Sequence, residues 1–124
     1  MSGTVKEWIA KAEGDFEAAN TLMRARKNPN YDAVCFHAQQ CVEKLMKAVL
    51  IRKKRVPPHT HDLVRLNKLL QIAVLAIDLD ESQLDLLSTG AVILRYPGKF
   101  ANKREAQQAM RICRGVRSSL KPLL

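Results

Sequence analysis

The stretch Phe36-His-Ala-Gln-Gln-Cys-Val-Glu-Lys-Leu-Met-Lys47 gathers imidazole, amide, carboxylate and ammonium groups on a segment with helical spacing. Successive helix residues turn by about 100°, so His37, Gln40, Glu43, Lys44 and Lys47 share one sector. Val34, Cys35, Ala38, Cys41, Val42, Leu45, Met46 and Val49 occupy most of the remainder. Surface helices usually show the reverse proportions, with a broad polar face and a narrower apolar stripe. This helix is therefore central, and its polar strip is expected to face water, a partner or a ligand, because burying such groups unpaired is costly. The plainer alternative is a core helix with a solvated edge.

Two shorter patterns bear chemistry. His59-Thr-His61-Asp-Leu63 follows a diproline; Thr60 is the expected cap of a third helix, and Asp62 is placed either to cap it or to favour its N-terminal dipole. His59 and His61 form an H-x-H pair, but no third ligand at suitable spacing accompanies them, so capping is the favoured reading and no metal is expected. Arg95-Tyr-Pro97 closes a fourth helix. It can present a guanidinium and a ring to phosphate or base, or serve as a packed turn with Arg95 paired to Glu43 or another acid. A Gly-rich phosphate loop, a G-x-S-x-G elbow and an H-E-x-x-H zinc motif are all missing from the sequence.

The elements that position these groups read as five helices and no strand. Thr4-Val-Lys-Glu7 is a capping box, after which Trp8, Ala12, Phe16, Ala19, Leu22 and Met23 recur at helical spacing. Lys27-Asn-Pro-Asn30 breaks that helix. The second runs from about Tyr31 to Lys54 and ends in Arg52-Lys-Lys-Arg55, cations that complement the macrodipole. The third spans about His61 to Leu75, and the fourth opens near Asp80 and runs to Arg95, with Gly90 a candidate point of close packing. The fifth opens at Asn102-Lys-Arg-Glu105 and turns Ala106, Ala109, Ile112, Cys113, Val116 and Leu120 inward. An all-α, five-helix up-and-down bundle follows, one domain over residues 1–124.

Net charge is +9, concentrated towards the C-terminus, where Lys103, Arg104, Arg111, Arg114, Arg117 and Lys121 lie opposite the apolar face of the fifth helix. That ridge suits either a solvated outer face or contact with an anionic partner such as nucleic acid. Three cysteines, all at apolar positions and without a Cys-x-x-Cys pair, read as buried thiols in a reducing compartment. No apolar run approaches the ~20 residues of a membrane span, and Met1–Trp8 lacks a signal-peptide core, so a cytoplasmic protein without membrane contact is expected.

Taken together, F-H-A-Q-Q-x-x-E-K-x-x-K on the second helix, H-D-L at the third and R-Y-P ending the fourth resemble the HEPN domain family, in order and over nearly the whole chain. The resemblance implies an all-α homodimer. It also implies a nucleotide or RNA ligand, and for many small prokaryotic members a minimal nucleotidyltransferase partner in a toxin–antitoxin-type pair. Carried over by position, His37, Gln40, Lys44 and Lys47 would line a cleft with Arg95 and Tyr96 near the dimer interface. Ribonuclease members carry Arg, four to six residues and then His at the end of the fourth helix. Here no histidine follows His61, and Arg55 to His61 matches the spacing only in a loop. The resemblance thus points to a binding module with no catalytic residue and no cofactor. A ribonuclease using a non-standard histidine (His37 or His61), or a purely structural dimer, is the alternative.

Overall fold

The computed structural model describes residues 3–124; Met1 and Ser2, the first two residues of the Met1–Trp8 segment, lie outside the described residues. Five α-helices and a short 3-10 turn make up the described chain: α1 (Val5–Met23), α2 (Tyr31–Arg52), α3 (Leu63–Ala73), α4 (Glu81–Ile93), α5 (Lys103–Leu120) and Lys121–Leu123. Both expected capping boxes are present. Thr4 Oγ1 accepts from the Glu7 amide while Glu7 accepts from the Thr4 amide, each at 3.1 Å. Asn102 and Glu105 do the same for α5 at 2.8 and 3.0 Å.

α2 is the axle of the bundle, with 13 of its 22 residues buried. It packs antiparallel to α1 and touches α3, α4 and α5 as well. α5 lies beside α2 in the same direction: the Ala101 amide donates to Asp32 Oδ1 (2.6 Å) at one end, and Arg52 reaches the Leu124 carbonyl (3.4 Å) at the other. The core consists of small and aliphatic side chains, among them Leu45, Met46, Leu50, Leu66, Leu70, Leu84 and Met110.

α2 ends at Arg52, short of Lys54. Lys54 takes φ +60°, and the Arg55 amide reaches back to the Leu50 carbonyl at 2.8 Å while the Lys54 amide bonds Ile51. This is a Schellman closure with lysine at the position that usually favours glycine. α3 opens at Leu63 instead of His61. Asp62 Oδ1 accepts from the Val64 and Arg65 amides (3.0 and 3.4 Å), so the carboxylate takes the cap. Thr60 Oγ1 accepts only from the Asp62 amide, and α3 ends at Ala73, short of Leu75.

Gly90 does not mark a tight helix contact, since a Cβ there would meet no atom within 4 Å. α4 stops at Ile93, and the chain passes through Arg95-Tyr-Pro97 in turns, with Gly98 at φ +84°. Asp80 caps α4, and its carboxyl is held below the usual range by the Ser82 hydroxyl and then by the Gln83 amide. The cysteines are buried and free, as their positions suggested. Burial, then the charges of Glu105 and Asp32, pushes the Cys35 thiol up to about 11. Cys41 rises further, through contact with the Cys113 thiol and then burial.

Candidate functional site

The polar strip of α2 faces neighbouring helices rather than open water. Two buried carboxylates organise it, and each grips one lysine and one histidine. Asp15 of α1 accepts from Lys44 Nζ at 2.6 Å and pairs with His37 Nδ1 at 2.8 Å. Glu43, 3% exposed, holds Lys47 Nζ at 3.1 Å and His61 Nδ1 at 2.9 Å, and also accepts from Gln39 Nε2 at 3.1 Å. Gln39 further donates to the His61 carbonyl, and Gln40 Nε2 donates to Gln39 Oε1 at 2.8 Å. The Lys47 ammonium, on a residue 4% exposed, lies 5.7 Å from the centroid of the Trp8 ring.

Local structure explains the arrangement. Asp15 continues the Ala12 and Ala19 face of α1, so it must meet α2, and only a cationic or donor surface there can satisfy it. Glu43 and Lys47 are one helical turn apart and pair within α2. His61 arrives because the connector after α2 runs back along the helix to the level of Glu43 before α3 begins. With Nδ1 bonded to a carboxylate, each imidazole leaves Nε2 as its second site, the orientation used by proton-transfer histidines. The two differ in access. The His61 side chain is 68% exposed and that of His37 only 29%.

Arg95 and Tyr96 stand elsewhere. Arg95 is exposed and forms no side-chain hydrogen bond or ion pair among the described residues. It lines a depression with Asn30, Asp32, Ala33, Phe36, Ala91 and Leu94, so it does not pair with Glu43, whose carboxylate is already engaged. His37 adjoins this region through an edge-on contact with the Phe36 ring, centroids 5.3 Å apart. Adjoining the first depression at Ala91 and Leu94, a second, mostly apolar depression of about 220 Å³ is lined by Leu86, Gly90, Ile93, Ala101, Ala109 and Ile112. Leu86, Val92, Ile93, Tyr96 (63% exposed) and Phe100 (80% exposed) leave this side of the molecule rich in uncovered apolar surface.

The ridge of α5 is not uniformly solvated. Arg117 turns inward to a bidentate contact with Glu13 (3.0–3.2 Å) and stacks 4.2 Å over Phe16, while Arg114 donates to Asn20 at 3.1 Å. No group of three or more His, Cys, Asp or Glu side chains suited to an ion, at His59 and His61 or elsewhere, occurs among the described residues. No helix among them is long and apolar enough to cross a membrane.

A family model described as "HEPN domain" matches residues 5–123. The chain belongs to the HEPN domain family. The fold of this HEPN protein is shared with two crystal structures. One is TT1696 from Thermus thermophilus (TM-score 0.76, 18% identity, 97% of this chain and 98% of that one). The other is ST0689, described as an archaeal HEPN homologue (TM-score 0.68, 20% identity, 98% of each chain). A Methanocaldococcus jannaschii protein named "Putative toxin MJ1304" is 50% identical over 46 residues, which is 37% of this chain and 28% of that protein. The matched segment thus spans under a third of that relative's length.

Asp15 and Gln39 are site residues that sequence reasoning missed, although the spacing of Asp15, three residues after Ala12 and four before Ala19, pointed inward. The engagement of Glu43 by His61 had no such local signal.

Proposed function

We propose that this HEPN protein is a non-catalytic, self-associating module that holds nucleotide or RNA phosphate at Arg95 and Tyr96 and works beside a minimal nucleotidyltransferase in a toxin–antitoxin-type pair. The observation that carries it is the pairing of an unpartnered, exposed Arg95 with the uncovered apolar surface of α4. A guanidinium without a carboxylate is free to take a phosphate in a two-pronged contact. An adjoining apolar patch of aromatic and aliphatic side chains is the usual mark of an interface. His37 and Gln40, half-buried on the neighbouring strip, contribute from α2, and Lys44 and Lys47 support them by holding Asp15 and Glu43 in place. The absence of histidine in the seven residues from Tyr96 to Asn102 supports binding over cleavage. The nucleotidyltransferase and the pairing rest on the family resemblance, and the name of the Methanocaldococcus relative accords with them.

Sedimentation of wild type and Ile93→Glu tests self-association. Dimeric wild type and monomeric, folded variant are expected; a monomeric wild type at tens of micromolar would overturn that half of the proposal.

One observation favours a second reading. His61 is an exposed imidazole oriented by a buried carboxylate, which is the constellation of a general base. Under that reading the protein is a ribonuclease, RNA is cleaved by the pure protein, and His61→Ala abolishes cleavage. Intact RNA after prolonged incubation sinks it.

A further inference from the structure

A separate cationic surface lies on α5 and the terminus of α2. Arg104 and Arg111 lie within about 20° of each other on α5, opposite its buried face, and Lys121 follows in the 3-10 turn at the helix end. At the end of that helix the band meets Lys53, Lys54 and Arg55, because α2 and α5 run side by side and Arg52 touches the carbonyl of Leu124. All six side chains are exposed, and none is in an ion pair among the described residues. Glu105, engaged in the capping box of α5, is the one acidic side chain on either stretch: no Asp or Glu occurs between Lys44 and His61 or after Glu105. Lys54 adopts a left-handed conformation where glycine would be the easier residue.

The geometry points to a surface that tracks the phosphodiester backbone of a nucleic-acid duplex. α5 alone extends the band over about 27 Å, too long for one phosphate group and well matched to a polymer with repeating charge. Single strands are usually held by aromatic stacking platforms, and the exposed rings of Phe36, Tyr96 and Phe100 belong to the α4 side of the molecule. A membrane would need an apolar face on the same helix free to insert, whereas that face of α5 is packed into the core. An acidic protein partner would need a dry apolar centre, and of the large exposed apolar residues only Val56 adjoins the Lys53–Arg55 run in sequence. The Lys53–Arg55 end of this surface is distinct from Arg95, which lies near the start of α2, a helix about 33 Å long; Arg104 sits at the same end of the bundle as Arg95.

The test is fluorescence anisotropy with labelled RNA and DNA duplexes of about 16 base pairs and with the matching single strand, from about 50 to about 200 mM salt. Wild type should bind both duplexes more tightly than the single strand, and affinity should fall roughly a hundredfold over that salt range if about four phosphates are neutralised. Lys53→Ala/Lys54→Gly/Arg55→Ala, with glycine preserving the turn, should weaken duplex binding at least tenfold and lower the salt slope by about two to three. Lys68→Ala on α3 serves as the distant cation control and should change neither. An RNA preference over DNA would assign the ligand to RNA, and equal affinity to duplex shape and charge alone. Absence of duplex binding at low salt, tighter binding of the single strand, or an unchanged triple variant would overturn the proposal.

Discussion

Replacing Glu43 by Gln removes one charge from the interior while keeping the side chain's shape. The carboxylate is 3% exposed and receives Lys47 at 3.1 Å, His61 at 2.9 Å and Gln39 at 3.1 Å. The variant leaves the Lys47 ammonium, itself 4% exposed, without its counter-charge. Stranding one partner of a buried pair costs about 3–5 kcal/mol. The Trp8 face 5.7 Å away is present in both proteins and cancels. The variant's amide oxygen can still accept from Lys47, which keeps the loss at the lower end, about 3 kcal/mol. A domain of this size has about 5–15 kcal/mol in total, so the variant should remain folded and measurable. Urea denaturation followed by circular dichroism should show the midpoint falling by about 1–3 M. Lys47→Met alone should cost less, since Glu43 keeps His61 and Gln39. The double variant should be more stable than the sum of the single losses allows, by about 2 kcal/mol. A loss under about 1 kcal/mol for Glu43→Gln, with additive single variants, would refute the reasoning, because Lys47 would then be hydrated in solution.

Stability should also fall in alkali. The buried Cys35 thiol is raised from an ordinary 9.0 to about 11. Its neutral form is favoured by folding, so its contribution is complete below pH 9 and is lost as pH rises towards 11, a decrease of about 3 kcal/mol. Urea midpoints taken across that window should decline in wild type and decline less in Cys35→Ala, whereas parallel profiles would contradict the assignment. Asn102→Ala removes the reciprocal cap of α5 and should cost about 1 kcal/mol by the same assay, with Asn102→Asp close to wild type.

Much of this fold was legible in the chain because its helix ends are written locally. Thr4 with Glu7, Asn102 with Glu105, and Asp80 each satisfy amides two or three residues away, so spacing alone reveals them. The start of α3 was misplaced because two candidate caps, Thr60 and Asp62, lie two residues apart, and only the tertiary position of His61 decides between them. Gly90 looked like a packing contact, yet it borders the open depression beside α4. The strip on α2 was visible as a pattern, but its partners were not. Asp15 is 22 residues from His37 and 29 from Lys44, and nothing local distinguishes a lysine that waits for a ligand from one already held by a carboxylate. That distinction moves the phosphate-binding reading away from Lys44 and Lys47 and towards Arg95, which has no competing acid.

The most direct test of this account is isothermal titration of ATP into wild type and Arg95→Ala at low ionic strength. Saturable binding to wild type, weakened at least tenfold in the variant, is the result expected of a phosphate site at Arg95 (about 1.4 kcal/mol or more). Equal binding by the two proteins, or none to wild type, would contradict it.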